Sequence, residues 1–429
     1  VEKLEHGAGK DAAGQVGDGV GILSQLPHRF FWREARKLDI HLNEEGSYAV
    51  AMLFLPEDTY QRRQAKKTWE KVLSDEGLPF LGWREVPIRK EILGQAAREC
   101  MPYIAQCFVG RPAHIAVGLP FERRLYVARR VYEKICPEAY VVSFSSQTIV
   151  YKGMFLVGQL RAFFPDLSDS LFTSAIALVH SRFSTNTTPS WQRAHPNRMI
   201  AHNGEINTIR GNISRMLARE ETLKSPYFKD ELDKIYPIIH VNGSDSAMLD
   251  NTLEFLYMNG MDLAKAMMLL IPEPYQKVPM PKDKQDFYHY YATMMEPWDG
   301  PAAVLFSDGI RMGAALDRNG LRPSRYYVMD DQTLILSSEV GVLEIDEAHV
   351  LRKARLEPGK MLLVDTKCQE LIEDAALKRS YANAHPYGEW LHQHLIQLNE
   401  LPMGSFVRQP LLAKTRQRLY QLYDYTYED

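Results

Sequence analysis

The stretch Pro301-Ala-Ala-Val-Leu-Phe-Ser-Asp-Gly-Ile-Arg-Met-Gly-Ala-Ala-Leu316 carries two short apolar runs, 302–306 and 312–316, on either side of Asp308-Gly309. Asp-Gly tolerates the positive φ angles that close a tight antiparallel turn, so the spacing predicts a hairpin. The pattern continues at 326–329 and 333–337 around Asp330-Asp331, and once more at 360–364. Upstream lie helical patterns at 245–258 and 261–270, then a Lys- and Pro-rich stretch, 272–284, that reads as a surface loop. Residues 174–181 and 198–202 read as short buried strands, each running into a polar cluster. The part up to Leu160 mixes apolar runs (48–55, 115–119, 139–144, 148–151) with amphipathic helices at 58–76 and 122–134. From Glu370 to Asp429 the tail is mostly helical and charged. Helices, then hairpins, then helices predict antiparallel sheets layered with helices.

Composition narrows the function classes. Lys plus Arg number 51 against 54 Asp plus Glu, a net charge of −3 that lacks the basic excess phosphate backbones demand. The longest apolar runs, 48–55 and 266–271, fall far short of the ~18–20 residues of a membrane span. The four cysteines (Cys100, Cys107, Cys136, Cys368) lack CxxC spacing and are too sparse for a disulfide scaffold, which fits a reducing compartment. Cys100 and Cys107 read as part of a helical stretch, Cys136 as a helix end and Cys368 as a hairpin turn. His392 and His394 stand two apart on a helical pattern, on different faces, so no metal site is expected there. Gly17-Asp-Gly-Val-Gly21 lacks the spacing and the preceding strand of a dinucleotide loop. Val1-Glu-Lys-Leu-Glu5, with no initiator Met and no apolar signal core, reads as a cut inside a longer protein.

Three polar clusters are candidates for chemistry. His180-Ser-Arg-Phe-Ser-Thr-Asn-Thr187 follows a strand, and Arg182 there is either a bidentate carboxylate receptor or the partner of a structural acid. His202-Asn-Gly-Glu-Ile-Asn207 also follows a strand. The Asn203 amide and the Gly204 N–H offer two donors for an oxyanion, with the missing Cβ admitting a substrate oxygen, although Asn-Gly is also the commonest hairpin turn pair and by itself reads as a turn. In Gly243-Ser-Asp-Ser246, Ser244 or Asp245 caps the following helix, and Asp245 can alternatively accept a substrate ammonium. His180, His195 and His202 lie near these clusters as hydrogen-bonding supports. An Arg for a carboxylate, an Asp for an ammonium and an oxyanion pair together suit an α-amino acid with a side-chain carbonyl.

These strings resemble the class-II glutamine amidotransferase domain of glutamate synthase large chains, members of the N-terminal-nucleophile hydrolases. Met295-Glu-Pro-Trp-Asp-Gly-Pro-Ala302, Leu316-Asp-Arg-Asn-Gly-Leu-Arg-Pro323, Ser338-Glu-Val-Gly341, Leu81-Gly-Trp-Arg84 and Glu122-Arg-Arg-Leu125 add to the match, in the family's order over nearly the whole chain. The resemblance implies a four-layer αββα fold, with two packed antiparallel sheets between helices. It also implies a single amidotransferase domain over 1–429, truncated before Val1, whose segment 370–429 leads towards a central domain.

Carried over residue by residue, the resemblance makes Arg182 the receptor of the glutamine α-carboxylate and Asp245 that of its α-ammonium. Asn203 and Gly204 become the oxyanion hole, and Thr185 and His195 line the pocket. The implied reaction is glutamine hydrolysis to glutamate and ammonia, the ammonia passing to 2-oxoglutarate elsewhere in a cytoplasmic parent enzyme. FMN and an iron–sulfur cluster would belong to that parent and not to this chain. So would the downstream domains and a small subunit or other electron donor. Two departures stand out. The family's N-terminal Cys nucleophile has no counterpart in this sequence, since Val1 offers no nucleophilic atom and the alignment of Glu5-His6 puts the Cys upstream; Gly7 stands where the family usually has Arg. Other readings are a non-catalytic glutamine-binding or scaffold module and another class-II amidotransferase.

Overall fold

The computed structural model describes residues 17–181, 188–276, 278–401 and 411–426. The described strands are β1 (Val20–Gln25), β2 (Tyr48–Leu55), β3 (Phe80–Glu85), β4 (Tyr103–Gly110), β5 (Tyr140–Ser145), β6 (Thr148–Gly153), β7 (Ala177–Ser181) and β8 (Ile200–Gly204). They continue with β9 (Ala302–Ser307), β10 (Arg311–Leu316), β11 (Arg325–Met329), β12 (Leu334–Ser337), β13 (Val350–Arg355), β14 (Met361–Asp365) and β15 (Glu370–Glu373). The described helices are α1 (His28–Arg36), α2 (Thr59–Asp75), α3 (Gln95–Glu99), α4 (Leu119–Ile135), α5 (Gln159–Phe163), α6 (Ile209–Glu220) and α7 (Leu232–Ile235). After these come α8 (Asp245–Met258), α9 (Leu263–Leu270), α10 (Lys282–Ala292), α11 (Asp374–Ala382), α12 (Tyr387–His394) and α13 (Ala413–Tyr423).

Strands of the described sheets pair antiparallel, in the orders β3-β4-β2-β5, β6-β1-β7, β15-β14-β10-β9-β8 and β12-β11-β13. The layering follows from side-chain alternation. In β2 the odd partners Ala49, Ala51 and Leu53 pack under Trp69 of α2 and Phe121 of α4, while Val50, Met52 and Phe54 face the opposite core with Phe31 and Tyr151. Both faces are buried, which is why Tyr-Ala-Val-Ala-Met-Leu-Phe-Leu is apolar throughout. In β9, Ala302, Val304 and Phe306 pack against Leu249, Leu253 and Leu270 of α8 and α9, and Leu305 turns the other way onto the second core. The order is therefore helix, sheet, sheet, helix: an α+β four-layer fold.

Differences from the sequence reading have local causes. Cys107 lies in the centre of β4, not in a helix, because 103–110 is buried on both faces and such a run has no periodicity to separate helix from strand. The apolar run 115–119 is a turn feeding α4. The loop read at 272–284 ends early: α10 begins at Lys282, burying Phe287 and Tyr288 within an aromatic-rich sequence of middling helix propensity. β13 escapes the pattern because its outer positions carry exposed charges, and the tail begins with β15 rather than a helix. None of the described helices is long and apolar enough to cross a membrane.

Candidate functional site

The five-stranded sheet ends at β8, so one edge of β8 pairs with β9 and the other faces away from it. The hydrogen bonds fix which amides point outward. Glu205 N–H donates to Pro301 O (3.1 Å) and Ser307 N–H to Met199 O (2.9 Å), so the odd-numbered positions of β8 bond to β9. The even ones face out: Ile200 N–H reaches the Asp250 carboxylate at 3.0 Å, and His202 N–H reaches His195 Nδ1 at 3.5 Å. By the same two-residue alternation the Gly204 N–H is the next outward donor on this edge.

Gly204 is a glycine for a reason the sequence did not reveal. Its φ is +151°, and a Cβ there would stand 1.8 Å from the Pro301 carbonyl oxygen. The mirror contact is Gly300, whose Cβ would meet Glu205 O at 1.9 Å. Asp299-Gly300-Pro301 thus lies flat against 204–208, with Asn207 N–H donating to Asp299 O (2.8 Å) and Asp299 N–H to Thr208 Oγ (2.9 Å). The Asn-Gly pair is a strand end and not a hairpin turn. The close approach is that of the neighbouring backbone, and it sets the direction of the peptide that carries the Gly204 N–H.

Asp245 opens α8 behind its cap, Ser244, whose hydroxyl accepts from Ala247 N–H at 3.3 Å. One Asp245 oxygen accepts from Ile206 N–H at 2.9 Å and the other from Ser246 N–H at 2.6 Å. Each oxygen keeps a lone pair for a further donor. His202 N–H reaches Nδ1 of His195 at 3.5 Å, and with Nδ1 accepting there Nε2 of the same ring is the donor to Ser246 Oγ at 3.1 Å. Ser246 Oγ lies 3.0 Å from Ser244 Oγ, so His195 ties the β8 edge to the first turn of α8. The His180 ring packs against His195, tilted by 35° with centroids 4.7 Å apart. His202 is buried and its Nε2 has no hydrogen-bond partner among the described residues; burial holds its proton affinity down, Asp245 opposes this and Arg322 adds to it, so the ring is neutral at pH 7.

These groups line one cavity of about 870 Å³ between the five-stranded sheet and the sheet of β7. Asn203, Gly204, Asp245 and His195, all named from the sequence, share its wall. Arg182 and Thr185, and likewise Gly7, lie outside the described residues. Sequence reasoning named Ser246 and Arg322 only as letters of longer strings; both line the cavity as well. Among the described residues no group of three or more His, Cys, Asp or Glu is arranged to hold a metal ion. Cys107 and Cys136 are buried in the core beneath α2 and α4, while Cys100 and Cys368 are exposed, so the residues present do not fit an iron–sulfur cluster.

A buried charge network braces the foot of β8. Arg198 donates to Glu133 Oε1 at 2.8 Å and to Val141 O at 2.9 Å, and Glu133 also takes Arg129 and Arg130. Burial pushes the Glu133 carboxyl up, but Arg129, Arg198 and Arg130 outweigh it and hold it well below its usual 4.5. A carboxylate depressed in the folded state contributes stability that is complete above its unfolded value and lost as pH falls through the folded one. Unfolding free energy by urea titration is therefore expected to fall steadily below about pH 4.5. Glu133→Gln removes the charge shared by three arginines and leaves, among the described residues, only Glu254 for Arg129 and only carbonyl partners for Arg130 and Arg198. It is expected to cost about 3–5 kcal/mol at neutral pH and to flatten that acid slope.

The class-II glutamine amidotransferase model matches residues 1–390. The NADPH glutamate synthase large chain of Bacillus subtilis is 46% identical over 432 residues, 100% of this chain and 28% of the relative. The chloroplastic ferredoxin-dependent glutamate synthase of Oryza sativa subsp. japonica is 42% identical over 99% of this chain and 27% of its own length. For the NADH glutamate synthase of Saccharomyces cerevisiae the figures are 44%, 90% and 18%. A solved allosteric regulatory enzyme of purine biosynthesis aligns at TM-score 0.32 and 16% identity, over 74% of this chain and 47% of that one. The chain spans less than a third of the length of these curated relatives. It belongs to the class-II glutamine amidotransferase family and is similar to the corresponding part of glutamate synthases.

Proposed function

We propose that the cavity binds L-glutamine and that the chain is the glutaminase portion of a cytoplasmic glutamate synthase, releasing glutamate and ammonia. The observation that carries this is the outward Gly204 amide, with the Asn203 side chain beside it and Asp245 on the same wall. A tetrahedral intermediate of amide hydrolysis places its negative charge on the former carbonyl oxygen. Preorganised N–H donors aimed at that position lower the barrier without further reorganisation. Asn203 and Gly204 supply those donors. Asp245 takes the α-ammonium, Arg182 the α-carboxylate, and Thr185 and His195 line the pocket.

The nucleophile implied by the family is an N-terminal cysteine thiolate. It attacks the amide carbon; the C–N bond breaks, the leaving nitrogen takes a proton from the cysteine's α-ammonium, and water then cleaves the thioester to glutamate. FMN, an iron–sulfur cluster, the 2-oxoglutarate site and the electron donor are assigned to other parts of the parent polypeptide or its partner subunit.

Calorimetry with L-glutamine, using Asn203→Ala and Asp245→Ala as controls, tests the pocket. Ammonia release by a polypeptide extended at its N-terminus with the family's cysteine nucleophile tests the chemistry. Asn203→Ala is expected to leave glutamine affinity within about threefold, because the oxyanion exists only along the reaction path, while lowering turnover of the extended enzyme by about 10²–10³-fold. Absence of glutamine binding together with an inactive extended enzyme would overturn the assignment in favour of a non-catalytic module.

A further inference from the structure

We propose that Asp250 is a positioning residue for the oxyanion donor, acting through the β8 edge and touching no substrate. This inference rests on the glutamine reading of the cavity. Asp250 Oδ1 accepts from Met199 N–H at 2.8 Å and from Ile200 N–H at 3.0 Å, and Oδ2 accepts from Arg198 N–H at 3.2 Å. The carboxylate is almost wholly buried. It occupies the first of three outward amide positions of β8: Asp250 at Ile200, His195 at His202, and the glutamine oxyanion at Gly204. Asp250 also belongs to α8, the helix whose first turn presents Asp245 and Ser246 to the cavity. One helix therefore fixes the register of both walls: through its first turn the ammonium receptor, through its second the strand bearing the oxyanion donor.

The charge on Asp250 is costly and adjustable. The groups that face it are Glu254 on its own helix, Arg198 before β8 and Lys152 of β6, with Glu133 of α4 behind Arg198. Burial, then Glu254, push the Asp250 carboxyl up to about 6, against the Arg198 charge and the backbone bonds from Met199 and Arg198. Protonation converts Oδ2 from acceptor to donor and removes the bond to Arg198 N–H, loosening the foot of the strand. Two opposed consequences follow between about pH 4 and pH 7. Because the folded value lies above the unfolded 3.8, the contribution of Asp250 to stability is largest at low pH and declines as pH rises through this window. Glutamine affinity, which needs the fully accepted strand, rises over the same window. A residue that served folding alone would move the unfolding free energy and leave the glutamine affinity of the folded chain unchanged.

The test is glutamine calorimetry and urea unfolding from pH 5 to pH 8 on the chain and on Asp250→Asn. The amide variant can keep both Oδ1 bonds but cannot titrate. The wild type is expected to bind more tightly as pH rises through about 6 while its unfolding free energy falls. Asp250→Asn is expected to bind about five- to tenfold more weakly at pH 8 and to lose this component of both profiles. If that variant does not fold, Glu254→Gln carries the test: removal of the neighbouring charge should move the affinity midpoint to lower pH. An Asp250→Asn chain with wild-type affinity at pH 8, or a midpoint unmoved in Glu254→Gln, would overturn the inference. Wild-type chain that binds no glutamine at any pH would overturn the glutamine reading itself, and this inference with it.

Discussion

Gly204→Ala is expected to abolish measurable glutamine binding and to destabilise the fold by about 3 kcal/mol or more. Two independent penalties combine. At φ +151° an L side chain is strained, and a Cβ would lie 1.8 Å from the Pro301 carbonyl oxygen, which is backbone and cannot swing aside. Relief requires β8 to separate from 299–301, breaking the bond from Glu205 N–H to Pro301 O and turning the peptide whose N–H faces outward. Urea unfolding and calorimetry on one preparation read both effects. Gly211→Ala in α6 is the internal control: its Cβ would meet nothing within 4 Å, and alanine is the better helix former, so stability is expected to rise by about 0.5–1 kcal/mol. A Gly204→Ala chain with wild-type midpoint and affinity would refute the geometry described for the strand end.

What was legible in the sequence depended on whether the signal was local. The hairpin β9–β10 is announced by Asp308-Gly309, and the structure adds that Asp308 Oδ1 accepts from Ile310 and Arg311 N–H, the bonds that make an Asp turn. Helix α8 runs over 245–258 as read, because Ser244 caps it and the apolar run ends where the helix ends. Asn203, His195 and Asp245 were found as motif letters, and the fold brings them to one cavity. The parity of β8 was beyond reach. That Ile200, His202 and Gly204 face outward follows from register with β9, a pairing across roughly a hundred residues that no local pattern encodes. Asp250 and Arg322 were missed for the same reason: nothing in the helical string around Asp250, or in the turn around Arg322, says what lies opposite. Cys107 was misplaced because burial on both faces of β4 erases alternation.

Asp245→Asn is expected to weaken glutamine binding by about 10–150-fold, the 1.5–3 kcal/mol of a hydrogen bond to a charged group. The substitution is nearly isosteric, so the consequences can be separated by ligand. Asp245 already accepts from Ile206 and Ser246 N–H, and an asparagine oxygen can keep only one of those bonds. If the carboxylate acted through this backbone geometry alone, every ligand of the cavity would suffer alike. If it receives the α-ammonium, the loss must vanish for a glutamine analogue in which the α-ammonium is replaced by hydrogen. That analogue should bind the wild type as weakly as Asp245→Asn binds glutamine, and the variant should bind it no worse than the wild type does. Equal losses for both ligands would remove Asp245 from the set of substrate contacts and leave it as the clasp between 206 and the first turn of α8. Helix polarity gives the reason to expect the first outcome. The positive end of the α8 dipole repels an ammonium, so one can be held there only by a full negative charge that outweighs the dipole, and Asp245 is the ionisable acid in that turn.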